Sequence, residues 1–208
     1  MNQQRTRDSE ASQQKILDAA ERLFIEQGYS ATSLRQVAAD AGVTKSLIFH
    51  HFQTKLELWN QVKARRMGAY AQRQHEVFDQ GVISLDNLTG AIRDYFELLR
   101  DDPALVQLLA RAQLDSQEHR DRFDLKLVEQ FISRLQRAQH NGLLRHEVQP
   151  ACLLAIILSA VNHWFEARQH FKHWPDFEQT ASRDHDYLNT FLDVLLHGVL
   201  PRENQGHE

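Results

Sequence analysis

The sequence is poor in residues that interrupt helices or cross-link the chain. Its 208 residues include eight glycines, four prolines and one cysteine. Because glycine and proline are the residues that most disfavour helix interiors, their scarcity favours a nearly all-helical chain. The single cysteine, Cys152, excludes an internal disulfide. Its place beside the apolar run 153–158 predicts a small buried hydrophobic side chain in a reducing compartment.

Long apolar segments are also missing. No window approaches the roughly 20 uninterrupted apolar residues that span a bilayer, and the first ten positions are polar where an export signal would be apolar. We therefore expect a cytoplasmic protein without a membrane partner. The hydrophobic content of 42% is still enough to form a substantial core.

The sequence contains none of the common catalytic or cofactor-binding motifs. GxSxG, P-loop, GxGxxG, CxxC and HExxH patterns are all absent, so we expect neither an enzyme nor a cofactor. One alternative is a helical metal-dependent protein or enzyme that uses a stripe of His163, Glu166 and His170. A polar stripe on an apolar helix is more often the wet edge of an interface, so we predict no metal site.

The charge is unevenly distributed along the chain. Residues 1–66 carry ten Lys and Arg against seven Asp and Glu, whereas residues 67–208 carry fourteen against twenty-one. Attraction to phosphate depends on the local surface rather than on the total charge of -4. A chain with a mildly basic N-terminal part and an acidic remainder is therefore compatible with DNA binding.

Apolar spacing and capping residues predict a series of helices. Gly28 suits the end of a first helix, Ser33 with Gln36 forms a capping box for a second, and Thr44 suits the N-cap of a third. Pro103 and Pro150 suit the first turns of later helices. The predicted helices span 12–27, 33–41, 44–51, 55–78, 85–100, 103–114, 118–140, 150–171 and 184–199.

The last two predicted helices are the most apolar. Residues 151–161 are apolar on nearly all sides, and 184–199 carries a broad apolar face. They could form an intersubunit helix bundle or simply the core of one chain, because periodicity alone does not distinguish the two.

Residues 33–52 have the form of a DNA-reading helix-turn-helix. Ala38 is small where two helices approach, Gly42 can adopt a positive φ, and Val43 can pack beneath the pair. Hydroxyls and cations around the turn suit phosphate oxygens. The alternatives are an ordinary pair of helices and a module whose head binds another protein.

Over residues 15–58 the sequence resembles the tetracycline-repressor-like (TetR) family of bacterial regulators. The matching positions keep one register across the three predicted helices. They are Ile16–Ala20, Leu23, Phe24, Gly28, Tyr29, Thr32–Ala38, Ala41–Lys45, His50–Phe52, Lys55 and Leu58.

The resemblance implies a homodimeric DNA-binding regulator of transcription. Residues 1–54 would form an N-terminal arm and head, and 55–208 a ligand-binding and dimerisation domain joined to it by the long fourth helix. Two heads would bind successive major grooves of a near-palindromic operator, with centres about 34 to 36 Å apart or a small multiple of that distance. The expected activity is repression relieved by a small-molecule effector, with dimerisation through helices 150–171 and 184–199.

The resemblance also assigns candidate DNA contacts. Thr32 and Thr44 would cap their helices and contact phosphate, while Lys45 and Ser46 would lie at base edges. Leu47 would contact a thymine methyl and Lys55 the backbone. Phe49 and Ser46 depart from the tyrosine and glycine common in the family, which makes His50 the expected ring donor to phosphate. The full predicted set is Thr32, Ser33, Thr44, Lys45, Ser46, Leu47, Phe49, His50 and Lys55.

A small-molecule pocket in the body is likewise implied by the resemblance. Large aromatic side chains and polar groups beside apolar runs are the candidates, although each could equally belong to the plain core. The predicted pocket residues are Tyr70, Phe96, Gln113, Phe131, Asn162 and His163.

Overall fold

The computed structural model describes residues 2–79, 81, 83–114, 125–175 and 182–201. Within these ranges every regular element is a helix, which confirms the all-α prediction. The helices are α1 (Asn2–Ala31), α2 (Leu34–Ala41), α3 (Lys45–His51), α4 (Lys55–Asp79), α5 (Leu85–Asp101), α6 (Pro103–Leu114), α7 (Leu125–His140), α8 (Pro150–Phe171) and α9 (Arg183–Val199).

Most helix ends agree with the sequence prediction where a local signal marks them. Gly28, the predicted end of the first helix, instead marks a kink with φ 83°, and α1 continues to Ala31. α6 and α8 begin at prolines, whose fixed φ and missing N–H suit a first turn. α1 instead begins at Asn2, ten residues before its predicted start, because no glycine or proline interrupts the chain there. The predicted segment 118–124 lies outside the described residues, and α7 begins at Leu125.

The chain divides into two compact units. The first contains Met1–Ala69 and Ala104–Arg122, and the second contains Tyr70–Pro103 and Phe123–Glu208. The long helix α4 therefore supplies residues to both units. α6 belongs almost entirely to the first unit, although it follows α5 of the second along the chain.

The first unit has a core built by α1, α2, α3, α4 and α6. The ring of Phe24 meets that of Trp59 edge-on, with centroids 4.9 Å apart. Leu108 of α6 is fully buried in the same cluster. This core holds α2 and α3 in place, since Val37 and Ile48 are both fully buried in it.

The second unit has a core built by α5, α7, α8 and α9 together with the end of α4. Trp164 of α8 stacks on Tyr187 of α9 at 4.1 Å between ring centroids. The Tyr187 hydroxyl donates to the Ala160 carbonyl at 2.9 Å. These contacts hold α8 and α9 side by side.

Within the single chain, α8 has one buried face and one exposed face. Leu153, Ile157 and Val161 are buried, but Ile156 on the opposite face is 57% exposed. The prediction for Cys152 is wrong for the same reason: its position is exposed, and its thiol lies 3.8 Å from the Gln149 side-chain oxygen. An apolar neighbourhood in sequence does not specify which side of a helix meets the core.

Candidate nucleic-acid interface and effector cavity

The helix pair α2 and α3 is held by local hydrogen bonds at each end. The Ser33 hydroxyl accepts from the Gln36 backbone N–H at 3.2 Å, and the Gln36 side chain accepts from the Ser33 N–H at 2.8 Å, so the predicted capping box is present. Gly42 closes α2 with φ 64° and ψ 34°, a left-handed conformation that glycine adopts without strain. Thr44 then caps α3 by accepting from the Leu47 N–H at 3.3 Å.

The short helix α3 presents one face to the core and another to solvent. Ile48 and Phe52, the residue after the end of α3, are buried. Lys45, Ser46 and His50 are exposed, and Phe49 is 45% exposed. This division leaves the N-terminal turn of α3 and a row of polar and aromatic side chains available to a partner, the geometry that a recognition helix requires.

Side-chain contacts organise the exposed face of α3. The Lys45 ammonium lies over the Phe49 ring at 5.4 Å from its centroid. The hydroxyls of Thr44 and Ser46 are 2.9 Å apart and share a hydrogen bond. Leu47 is half-buried. An aromatic ring beneath the ammonium orients Lys45 before any partner arrives.

Thr32 does not have the role that the resemblance assigns to it. Its side chain is 1% exposed, and its hydroxyl donates to the carbonyls of Gly28 at 2.7 Å and Leu23 at 3.2 Å. Ser33, not Thr32, is the N-cap of α2. The hydroxyl of Thr32 satisfies carbonyls at the kink of α1, where Gly28 has φ 83°, and it is turned away from solvent.

Lys55 is partly engaged by the first unit itself. Its ammonium donates to the Ser30 carbonyl at 3.4 Å and lies over the Tyr29 ring at 4.2 Å from the centroid.

At the end of α3, the Nε2 atom of His51 is buried and has no hydrogen-bond partner among the described residues. Burial and the neighbouring charge of His50 lower the pKa of His51.

A cluster of side-chain ion pairs, which the sequence analysis missed, links α1 to α4. Arg65 bonds to Asp18 at 2.6 Å and to Glu21, and Arg66 also bonds to Glu21. Burial alone would raise the pKa of Glu21, but hydrogen bonds and charge from Arg66 and Arg65 outweigh it and hold the pKa below 4.5. These partners lie 44 to 47 residues apart, so no local pattern indicates them.

The second unit encloses a cavity among α5, α7, α8 and α9 and the end of α4. Its empty space is about 740 Å³, part of which is open to solvent. The lining is almost wholly apolar, with thirteen aliphatic side chains together with Tyr70, Tyr95 and Phe131. The remaining two lining residues are Thr89 and Arg134. The composition of the lining suits a small molecule with an apolar body.

The predicted pocket residues separate into three groups. Tyr70 and Phe131 line the cavity. Phe96 is buried against Phe165, with ring centroids 4.7 Å apart, and Asn162 accepts a hydrogen bond from the Tyr95 hydroxyl at 2.8 Å. His163 is exposed on α8. The side chain of the sixth, Gln113, lies outside the described residues.

Arg134 is a charged cavity residue that the sequence analysis missed. It is 5% exposed, and its guanidinium donates to the side-chain oxygen of Gln74 at 3.1 Å and also to the Gln74 carbonyl. The Gln74 amide donates in turn to Asp94 at 3.1 Å. An arginine on an amphipathic helix normally faces water, so only the packing of α4 against α7 reveals this one as buried.

The histidine stripe on α8 faces outward. His163, Glu166 and His170 are exposed. Among the described residues, no three His, Cys, Asp or Glu side chains are grouped closely enough to hold a metal ion.

Among the described helices, α8 alone has the length and composition of a membrane span. Its buried side, including Trp164 and Val161, is packed into the second unit as in a core helix.

Comparison with known families identifies both parts of the chain. Residues 16–62 match the family model described as bacterial regulatory proteins, tetR family. Residues 85–191 match the model described as the tetracyclin repressor-like C-terminal domain. The second match covers about half of the chain, and together the two include the helix pair and most of the cavity.

Individual relatives match either a short segment or almost the whole chain. The regulator AcrR of Shigella flexneri is 44% identical over 55 residues, only 26% of either chain. The repressor KstR2 of Mycolicibacterium smegmatis is 22% identical over 202 residues, 93% of each chain. The solved structure of NalD, a secondary repressor of a multidrug efflux pump in Pseudomonas aeruginosa, has a TM-score of 0.68 at 24% identity and covers 96% of this chain and 100% of that one. The last similarity concerns the fold alone.

Proposed function

Because this chain belongs to the tetR family of bacterial regulatory proteins and is a DNA-binding regulator of transcription, we propose that it represses a target promoter and is released by a small molecule. The observation that carries the proposal is the exposed face of α3, where Lys45, Ser46 and His50 face solvent above a fully buried Ile48. Repression is supported by full-length similarity to KstR2, a repressor. We place its action in the cytoplasm, where the DNA is.

Operator binding would use the N-terminal turn of α3. Thr44, Lys45 and Ser46 lie at the N-terminal end of this helix, a favourable place for phosphate or a base edge. We propose that Ser33, Leu47, Phe49, His50 and Lys55 complete the contact surface. Thr32 is left out, because its hydroxyl is buried in the fold. Residues 1–54 would act as the head and 55–208 as the regulatory body.

Two heads are needed to read a palindromic site, and the uncovered faces of α8 and α9 supply a surface for pairing. Ile156 on α8 and Val194 on α9 are 57% and 66% exposed. Large apolar side chains exposed on adjacent helices favour burial against an identical surface of a second chain. We propose a homodimer built on helices 150–171 and 184–199.

The cavity of the second unit would bind the effector. α4 carries Leu58 and Val62 in the core of the first unit, and Tyr70 at the cavity of the second. An effector that favours one arrangement of this helix would change the fit of two heads to the operator. An effector that binds both arrangements equally would have no effect.

The decisive experiment selects genomic DNA fragments that bind the purified full-length protein and maps the protected bases. The expected result is a recurrent near-palindrome whose half-sites lie about 10 base pairs or a multiple apart, protected in the major groove. Binding without a shared sequence, or equal competition by random duplex, would reject the proposal. Release of the selected fragment by extracts or metabolites then tests the effector step.

A further inference from the structure

The charge in the wall of the cavity is already engaged by the protein, which points to the chemical class of the ligand, a conclusion that rests on the proposed effector function. Arg134 is the one ionised residue among the described lining side chains. It is 5% exposed, its guanidinium donates to both the side-chain and the backbone oxygen of Gln74, and it lies over the Phe131 ring at 5.1 Å from the centroid. Arg134 therefore joins α7 to α4 and stabilises the cavity wall.

Two of the three hydroxyls in the described lining are bonded within the second unit. The Tyr95 hydroxyl donates to the Asn162 side-chain oxygen at 2.8 Å. The Thr89 hydroxyl donates to the Leu85 carbonyl at 2.9 Å. Because a hydroxyl has one hydrogen to donate, neither group keeps a donor for a ligand.

The third hydroxyl, that of Tyr70, makes no hydrogen bond within the described part of the chain. The Tyr70 side chain is buried, and its ring centroid lies 5.6 Å from that of Tyr95 and 6.4 Å from that of Phe131. Burial raises the pKa of the Tyr70 phenol, so the hydroxyl keeps its proton and remains a donor. A donor at an apolar wall gains most from an acceptor that also lies out of water. The position of Tyr70 therefore suits an acceptor atom on the ligand.

We propose that the cavity binds an uncharged, largely apolar molecule with an acceptor oxygen that takes a hydrogen bond from the Tyr70 hydroxyl. The thirteen aliphatic lining residues would pack against its hydrocarbon body. A ligand ammonium would meet no acidic side chain in the described lining. A ligand carboxylate would have to displace Gln74 from Arg134 and would disrupt the contact between α4 and α7. Either ion would lose its hydration at a cost that an uncharged ligand avoids.

The test compares compounds built on one phenylbutane skeleton. They are butyrophenone, butylbenzene, 4-phenylbutanoate and 4-phenylbutylammonium, which carry a ketone, no polar group, a carboxylate and an ammonium. The full-length protein is titrated into each compound by calorimetry near neutral pH. Both uncharged compounds are expected to bind at least about tenfold more tightly than either ion, and butyrophenone at least about threefold more tightly than butylbenzene. An ion that binds as tightly as butylbenzene, or no binding by either uncharged compound up to its solubility, would overturn the proposal.

Two variants assign the ketone preference to its residue. Tyr70→Phe keeps the ring and removes the hydroxyl, so butyrophenone should lose its advantage over butylbenzene. Tyr187→Phe makes the same change on α9, outside the cavity lining, and should retain that advantage. A full ketone preference in folded Tyr70→Phe, or equal binding of ketone and hydrocarbon by the natural chain, would overturn the role of Tyr70. If Tyr70→Phe fails to fold, the comparison of the four compounds on the natural chain still decides.

Operator binding measured without any of these compounds keeps the two proposals separate. Protein that binds its selected operator but prefers an ion, or binds neither uncharged compound, rejects the ligand class alone. Protein that binds the uncharged compounds with the expected preference but no operator rejects the proposed function alone.

Discussion

Arg134 on α7 donates to both the side-chain and the backbone oxygen of Gln74 on α4, a residue 60 positions earlier in the chain. Gln74 is 1% exposed and also donates to Asp94 of α5. One buried amide thus joins three helices of the second unit. Because each of its polar atoms has a charged partner, replacing it leaves both partners short of a hydrogen bond.

Gln74→Met should therefore destabilise the protein by about 2–3 kcal/mol, since the methionine side chain fills a similar volume but cannot replace the side-chain hydrogen bonds to Arg134 and Asp94. Urea unfolding followed by circular dichroism measures the change. Gln72→Met, at an exposed position of the same helix, is the control and should change the free energy of unfolding by less than about 0.5 kcal/mol. Similar losses in both variants would contradict the role given to Gln74.

Lys45→Met should reduce operator affinity by about 1–3 kcal/mol while affecting random duplex much less, because Lys45 is expected at a base edge. Lys55→Met should weaken binding to both DNAs and lower the salt slope by about one, as loss of a phosphate contact does. Fluorescence anisotropy at several salt concentrations separates the two effects. Lys172→Met, at the far end of α8, serves as a neutral control. Loss of selectivity with Lys55→Met alone would reverse the assignments.

Thr32→Val and Thr44→Val make the same chemical change at a buried and an exposed hydroxyl. Each should cost about 1 kcal/mol of stability, the first through the lost bond to Gly28 and the second through the lost cap of α3. Only Thr44→Val should also weaken the operator complex when both variants are measured well below their unfolding temperatures. A similar loss of operator affinity in Thr32→Val would show that Thr32 also contributes to DNA binding.

Ile156→Glu should weaken self-association at least about tenfold, because it places a charge in the centre of the proposed apolar interface. Sedimentation velocity across a concentration series measures the monomer fraction. Gln169→Glu adds the same charge at another exposed position of α8 and should leave association unchanged. Identical sedimentation of the two variants would place the dimer interface elsewhere.

Glu21→Gln should lower the free energy of unfolding by about 1–2 kcal/mol at pH 7, since Arg65 and Arg66 lose a charged acceptor. The folded-state pKa of Glu21 lies below 4.5, so its contribution is complete above about pH 4.5 and declines as pH falls through the lower folded value. Denaturant unfolding between pH 3 and 7 should show the two proteins converging at the acidic end. Exposed Glu26 provides the control variant Glu26→Gln. A difference independent of pH would exclude the ionic mechanism.

Much of the head could be predicted because its signals are local. Ser33, Gly42 and Thr44 act within four residues of the positions they cap or turn, so their roles follow from spacing alone. Thr32 and Ser33 are both hydroxyl residues before the same helix, however. Local chemistry permits either to cap, and only the kink at Gly28 turns Thr32 inward.

The body was less predictable because its functional contacts are distant in sequence. Helical periodicity identifies α8 as apolar but does not distinguish the buried Ile157 from the exposed Ile156 beside it. Tyr70 and Phe131, predicted through their size, line the cavity. Phe96, predicted on the same ground, does not, and neither do Asn162 and His163, which were candidates through their polarity. Arg134 carried no signal of burial.

The sequence by itself determined the all-helical class, most helix ends and the DNA-reading helix pair, because these depend on residue preferences and on hydrogen bonds within one or two turns. The tertiary structure alone decided that Cys152 is exposed, that Thr32 is buried, and that Arg134 meets Gln74 at the wall of a cavity. Burial and charge pairing depend on which helices pack together. A one-dimensional pattern specifies the face of a helix but not the neighbour that covers it.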